Sequence, residues 1–210
     1  MQISWHGQYT IKIISKETTL CIDPYTGNLG IAPFRAKADI LSLSNPQDAS
    51  MSNISSIQGN PVTINTPGEY SIKEFALHSI GWSDENGQER SLQRWMVEDV
   101  VVLHVGSLNR DLNAQELQEL ERADIDVFFV PVGGGTGLTL SQAMKMITTI
   151  EPKIVIPIHY SLSGLTEKLD PVELFAKEMG VSVSATEKKL ILKKNKLPQE
   201  DMQTVILAPY

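Results

Sequence analysis

Imidazoles, carboxylates and thiols carry most metal and acid–base chemistry in proteins, and this chain is sparing with the first and last. Its histidines are His6, His78, His104 and His159, and its one cysteine is Cys21. No two of these histidines have the close spacing of a zinc-binding pair, and a single thiol adds no cluster. His78 and His104 fall inside apolar runs, where a hydrogen-bonded structural imidazole is expected, and His6 ends the first such run. His159 closes "KIVIPIHY" where a loop begins. Side chains at strand ends beside loops commonly form the sites of α/β proteins, so His159 is a candidate to line a pocket. Asp23 in "CIDP" also stands at a strand end. It can fix a turn by accepting backbone N–H groups, or orient a ligand from behind.

Two other patterns point away from familiar chemistry. "VGGGTGLT" (132–139) lacks the Lys-Ser/Thr of a phosphate-binding Walker loop and the third glycine of a dinucleotide fingerprint. It reads as a tight turn into a capped helix, with anion binding at the helix start as the alternative. No G-x-S-x-G nucleophile elbow occurs, and Ser44 and Ser107 have no adjacent histidine.

The elements that must position these residues change character along the chain. "QISW", "YTIKIIS", "TTLCIDP", "ADILSLS", "VTIN", "FALHSIGW", "QRWMVE" and "VVVLHVG" are short β-branched or apolar runs, with "SDENGQER" as a polar hairpin connection. After residue 106 helices enter. Asn113 with Glu116, and Thr139 with Gln142, have the spacing of capping boxes. Ala143, Met146, Ile147 and Ile150 fall on one helical face. Asp170 is expected to cap a third helix, with Pro171 at its first position and Gly180 as its terminator. "DVFFVPV" and "KIVIPIHY" read as buried strands, and "VSVSA", "KKLILKK" and "TVILAP" as closing strands. Strands followed by alternating strands and helices predict sheets covered by helices, and 107–113 and 161–170 are the expected long loops.

Composition bounds the rest. The 210 residues suit one compact domain, 1–210. A net charge of −7 argues against nucleic acid or anionic membrane as partner, and the basic run 187–196 alternates with apolar residues like the solvated face of a strand. One cysteine allows no internal disulfide, which fits a reducing compartment. The amino terminus does not read as a signal peptide, and no apolar run could span a bilayer, so cytoplasm is expected.

Taken in order, these segments resemble the metallo-β-lactamase superfamily, in particular its ascorbate-6-phosphate-lactonase-like branch of "Zn-dependent hydrolases of the β-lactamase fold". "ISWHGQYTIKI" resembles the family's W-x-G-H strand and "TTLCIDPY" its I-D-P strand. "ADILSLSNPQDAS" resembles its A-D-x-I-L-x-T-H-x-H-x-D-H segment, and "NTPGEYSIKEF" a P-G-E-Y-x-I-K element. "VVLHVGSLNRDL" is similar to its H-x-G-D-x-G-H stretch, and "DVFFVPVGGGTGLTLSQA" and "EPKIVIPIHY" to its two later strands. The resemblance implies an α+β fold, a four-layer αβ/βα sandwich, with a site at one edge of the two sheets. It also implies zinc, which lowers the pKa of a bound water and supplies hydroxide for hydrolysis.

The positions this family uses for zinc do not carry zinc ligands here. The H-x-H-x-D-H donors fall on Asn45, Gln47, Ala49 and Ser50, and the opening histidine on Gln8. The bridging aspartate falls on Ser107, the histidine after it on Arg110, and a further loop histidine on Ser83. His159 alone matches. A gapped alignment would instead set Asp48 beside Asn45, with Glu69 and His78 nearby, but the motif lengths match without a gap from Ala38 to Ser50. One imidazole does not hold zinc when sites use at least three protein ligands. The resemblance therefore implies a degenerate site with no metal and no cofactor. Its pocket would be formed by Gln8, Asn45, Gln47, Ser50, Ser107, Arg110 and His159, suited to a small anionic ligand or a scaffold role. The alternative is a hydrolase of lactones, esters or phosphoesters. It would use a variant metal site, or His159 as base and Arg110 as oxyanion stabiliser. Relatives often form homo-oligomers, and Trp82, Trp95 and Tyr210 are interface candidates where exposed.

Overall fold

The computed structural model describes residues 1–48, 51–183 and 187–210. In chain order the strands are β1 (Gln2–Trp5), β2 (Ile11–Ser15), β3 (Thr18–Ile22), β4 (Ala36–Lys37), β5 (Ile40–Ser42), β6 (Ile57–Gln58), β7 (Val62–Ile64), β8 (Gly68–Ile72), β9 (Phe75–Ser83), β10 (Glu89–Val97) and β11 (Val100–His104). Then α1 (Ala114–Leu120), β12 (Val127–Pro131), α2 (Leu140–Ile150), β13 (Ile154–Ile158), α3 (Val172–Glu178), β14 (Leu190–Ile191) and β15 (Gln203–Thr204) complete it. Two mixed sheets result, ordered β14-β1-β2-β3-β5-β7 and β15-β13-β12-β11-β10-β9-β8, with β4 and β6 as a separate pair. The architecture is the α+β, αβ/βα sandwich that the segment order implies.

Side-chain periodicity explains which faces meet. Along β2 and β3, Ile11, Ile13, Leu20 and Ile22 turn into the main core between the sheets. The alternate residue Cys21 turns the other way, into a second cluster with Tyr25, Phe34, Leu41 and Ile57. In the second sheet β8 to β11 form an antiparallel meander, and β11, β12, β13 and β15 run parallel. β12 and β13 are buried at every residue, as parallel strands covered on both faces must be. Phe128, Phe129 and Trp95 are at most 1% exposed there, and each contributes roughly 1.5–3 kcal/mol by leaving water.

The helices are set by their caps. Asn113 accepts from the Glu116 N–H while the Glu116 carboxylate accepts from the Asn113 N–H, and Thr139 and Gln142 repeat the arrangement. α2 buries Ala143, Met146 and Ile147. At α3 the cap is one residue later than expected. Pro171 is the N-cap, without a side-chain bond, because the Asp170 backbone is engaged by Gly133 and Ser161.

The closing strands are shorter than "VSVSA", "KKLILKK" and "TVILAP" suggest. Residues 181–183 form no strand, the rest of "VSVSA" lies outside the described residues, and β14 spans two residues. β15 stops because the chain leaves β13 for the other sheet: Val205 bonds Val155, but the Tyr210 N–H reaches Trp5. No helix among the described residues is long and apolar enough to cross a membrane.

Candidate functional site

The carboxyl ends of β3, β5, β11 and β13, with the turn after β1, converge at one edge of the sandwich. They deliver Asp23, Asn45, Ser107, His159 and Gln8. Three of these take a left-handed backbone, with φ of +48° at Gln8, +45° at Asp23 and +49° at His159. Each such residue is disfavoured by roughly 1–2 kcal/mol, so the surrounding structure must enforce the conformation. It does so partly through Gln8, whose carbonyl accepts from the His159 N–H at 3.2 Å and from Trp5 Nε1 at 2.9 Å.

Asp23 forms the floor. Its carboxylate accepts from the Ser44 N–H at 2.7 Å and from the Ser44 hydroxyl, fixing the residue before Asn45. Burial pushes its pKa up to about 7, although the Ser44 bonds pull the other way. His104 stands beside it, with Nδ1 3.8 Å from Asp23 Oδ2. The Gly106 N–H donates to Nδ1 at 3.1 Å and Nε2 lies 2.9 Å from the Tyr9 carbonyl. That pairing assigns the neutral Nε2–H tautomer, and burial carries the imidazole down to about 4. His104 is thus the hydrogen-bonded structural histidine expected.

Above the floor, Asn45 Nδ2 approaches Ser107 Oγ at 3.5 Å and Asp48 at 3.4 Å. The cation that meets Ser107 is Arg90, not Arg110. One Arg90 nitrogen donates to Ser107 Oγ, while Nε and Nη2 hold Asp84 at 3.2 and 2.7 Å. Hairpin geometry causes this: β10 and β11 pair Gln93 with His104, and extending that register by three residues sets Arg90 across from Ser107. Arg110 instead forks onto Glu116 at 2.9 and 2.6 Å. Burial works against the Glu116 charge, but Arg110 holds its carboxyl below the usual range. Both guanidiniums flank Trp82, with Arg110 4.8 Å and Arg90 5.7 Å from the ring centre.

His159 is fully buried. Its ring lies nearly flat on Tyr9, centres 4.1 Å apart. Nε2 is 3.5 Å from Glu167, an ion-pair distance too long for a good hydrogen bond, and among the described residues neither ring nitrogen has a hydrogen-bond partner. The glycine turn holds this stack from behind: a Cβ on Gly137 would stand 2.7 Å from the Tyr9 hydroxyl oxygen. "VGGGTGLT" is therefore the tight turn, closed by Gly134 and Leu138.

Of the other expected pocket residues, Gln47 is exposed and Ser50 lies outside the described residues. His78 sits between Glu69 at 3.2 Å and Glu119 of α1 at 3.3 Å, on the helix-covered face of β9 rather than beside Asn45. Among the described residues several buried atoms at this edge have no hydrogen-bond partner: Gln8 Nε2, Asn45 Oδ1, Trp82 Nε1 and both His159 nitrogens. Zinc does not fit the donor set. Among the described residues no three His, Cys, Asp or Glu side chains are grouped to hold a metal. His159 has one carboxylate beside it, Glu167, and Asn45 has one, Asp48, while Ser107 and the Arg90 guanidinium complete the surroundings, so no second imidazole or thiolate joins them.

Comparison with known proteins agrees with this geometry at the level of fold. Residues 2–159 match a family model described as the beta-lactamase superfamily domain. A UPF0173 metal-dependent hydrolase of Staphylococcus saprophyticus is 24% identical over 211 residues, covering 81% of this chain and 90% of its own. One from Archaeoglobus fulgidus is 33% identical over 101 residues, or 46% and 42% of the two chains. Among solved structures, one described as a Zn-dependent hydrolase of the metallo-β-lactamase superfamily, from Thermotoga maritima, superposes with a TM-score of 0.78. It is 24% identical and covers 98% of each chain. An isothiocyanate hydrolase from Delia radicum gut bacteria gives 0.68 at 8% identity, covering 92% of this chain and all of that one.

Proposed function

This chain belongs to the β-lactamase superfamily domain family, and from that premise we propose that it is a metal-free member, non-catalytic at the ancestral centre. It retains the strand-end site as a small-ligand pocket or a scaffold. The observation that carries the reading is the Arg90 guanidinium donating to Ser107, the residue at the bridging-aspartate position. Two unit positive charges about 4 Å apart repel by about 4 kcal/mol at the effective dielectric near a protein surface, and a divalent ion roughly doubles that. Asp84 offsets part of this repulsion but supplies no ligand to replace those lost. A ligand role is supported by the buried atoms of Gln8, Asn45 and His159 that have no hydrogen-bond partner among the described residues, since buried polar groups are normally satisfied. A reducing cytoplasm is the compartment we propose for a chain whose lone cysteine is buried and free.

The alternative, hydrolysis by His159 with Arg110, has less support, because Glu116 engages both terminal nitrogens of the Arg110 guanidinium. The test is elemental analysis of protein purified without chelator, beside a lactone, ester and phosphodiester panel with and without added Zn²⁺ or Mn²⁺. Metal far below one ion per chain and no turnover above a His159→Ala control are expected. Stoichiometric zinc that disappears in His159→Ala would sink the proposal.

A further inference from the structure

A second concavity lies on the outer face of the first sheet. It is a cleft of about 530 Å³, within the size range of small-molecule sites. Strand alternation builds its floor. Ile11 and Ile13 point into the main core, so Lys12 between them points outward, paired across the sheet with Ser4 and Cys21. Aromatic rings form the walls. His6 meets Phe34 edge-on at 4.7 Å and Tyr210 at 5.2 Å, and Tyr25 stands 6.3 Å from Phe34. Tyr25 is fixed by its hydroxyl, which donates to the Ala32 carbonyl at 2.8 Å.

The charges here are one-sided. Lys12 and Arg35 line the cleft and no aspartate or glutamate does. Lys188 sits over the Tyr210 ring at 5.5 Å, adding a third cation. Elsewhere Lys73, Lys145, Lys153, Lys194 and Arg110 each rest against a carboxylate. Among the described residues Lys12 and Arg35 do not, a state they share with surface cations such as Lys16 and Lys37, and what sets them apart is that both line one aromatic cleft. The Lys12 charge is felt inside the cleft: burial first and Lys12 second lower the His6 pKa to about 4. His6 is therefore a neutral flat surface, bonded to the Ser4 hydroxyl at 3.0 Å.

We infer that this cleft binds a small molecule combining a planar ring with an anionic group. The ring would stack among His6, Phe34 and Tyr210, and the anion would meet Lys12 and Arg35. Aromatic walls suit any π-face, and a phosphate or carboxylate supplies the missing counter-charge. The inference does not depend on the fate of the zinc site, since none of these residues belongs to it.

Calorimetric titration of the full chain tests it with two probes, adenosine 5′-monophosphate and naphthalene-2-carboxylate. Adenosine, naphthalene-2-carboxamide and inorganic phosphate serve as half-ligand controls. At least one ring-bearing anion should bind with a sub-millimolar Kd, about tenfold or more tighter than its neutral partner and than phosphate alone. Lys12→Gln and the exposed Arg35→Gln should each weaken it about tenfold. Raising salt should weaken it further. Failure of both probes to bind at millimolar concentration would overturn the inference. So would phosphate binding as tightly as the ring-bearing anions, or affinity unchanged in a correctly folded Lys12→Gln, Arg35→Gln double variant.

Discussion

Replacing Asp23 by asparagine should change how stability depends on pH, and the sign follows from the two buried groups beneath the site. Asp23 has its pKa raised to about 7 from the ordinary 3.8, and His104 has its pKa lowered to about 4 from 6.5. A raised carboxyl contributes stability below about pH 4 that is lost as pH rises towards 7. A lowered imidazole contributes stability above 6.5 that is lost as pH falls towards 4. Between these limits the unfolded chain holds one proton on the imidazole and the folded chain holds one on the carboxyl. Folding therefore moves a proton from one residue to the other without net uptake, and the pair gives no slope.

Asp23→Asn keeps the volume and an acceptor for the Ser44 N–H but removes the titrating carboxyl. Only His104 then remains, and stability should rise with pH by about 1.4 kcal/mol per unit. Over two units, from about pH 4.5 to 6.5, the variant should gain roughly 3 kcal/mol relative to the parent. Urea unfolding at several pH values, followed by tryptophan fluorescence from buried Trp5 and Trp95, reads this directly. Other carboxyls held below their usual range, such as Glu98 and Asp126, affect both proteins alike and cancel in the difference. Parallel stability curves for variant and parent would refute the reasoning, because they would mean that Asp23 is already ionised in the folded chain across this window.

Two further substitutions probe the frame of the site. Gly106→Ala puts a Cβ 2.3 Å from Ser44 Oγ at a φ of +56°. The loss should be about 2–4 kcal/mol by urea denaturation, from left-handed strain plus overpacking; an effect below about 0.5 kcal/mol would mean that Ser44 is free to move. Asn113→Ala removes one half of the first capping box and should lower stability by about 0.5–2 kcal/mol, with the loss absent if α1 frays without consequence.

Much of this arrangement is local enough to read from sequence. Capping boxes depend on two residues three apart, and Asn113–Glu116 and Thr139–Gln142 both form. The buried runs of β12 and β13 and the hairpin between β9 and β10 follow from composition alone. The Arg90–Ser107 contact does not, because the two residues are 17 apart and meet only through hairpin register. A register count from the tight turn between β10 and β11 is the signal that would have found it. Arg110 misleads for a related reason. Aligned to a family histidine, it looks directed at the site, but the Glu116 carboxylate that closes the capping box is a stronger and nearer partner. The final strands fail differently: apolar content at "TVILAP" marks burial, and the chain satisfies it by crossing between the sheets.

Backbone strain at this edge bears on which of the two proposed roles the site fills. Gln8, Asp23 and His159 hold left-handed conformations on three separate elements; aspartate and histidine tolerate φ > 0 better than most residues, but none is as free there as glycine. Relaxing any one would reduce an energetic burden of roughly 1 kcal/mol or more. The supporting contacts persist nonetheless: Trp5 onto the Gln8 carbonyl, Ser44 onto Asp23, Tyr9 onto the His159 ring. Asn45 and Ser107 stand where the family resemblance places metal ligands, and the strand ends around them carry this costly geometry. An inert scaffold gains nothing from that geometry, whereas the proposed small-ligand pocket would use it to hold Gln8, Asn45 and His159 in place. On the proposed metal-free reading, this strain favours a ligand-binding role over a scaffold role.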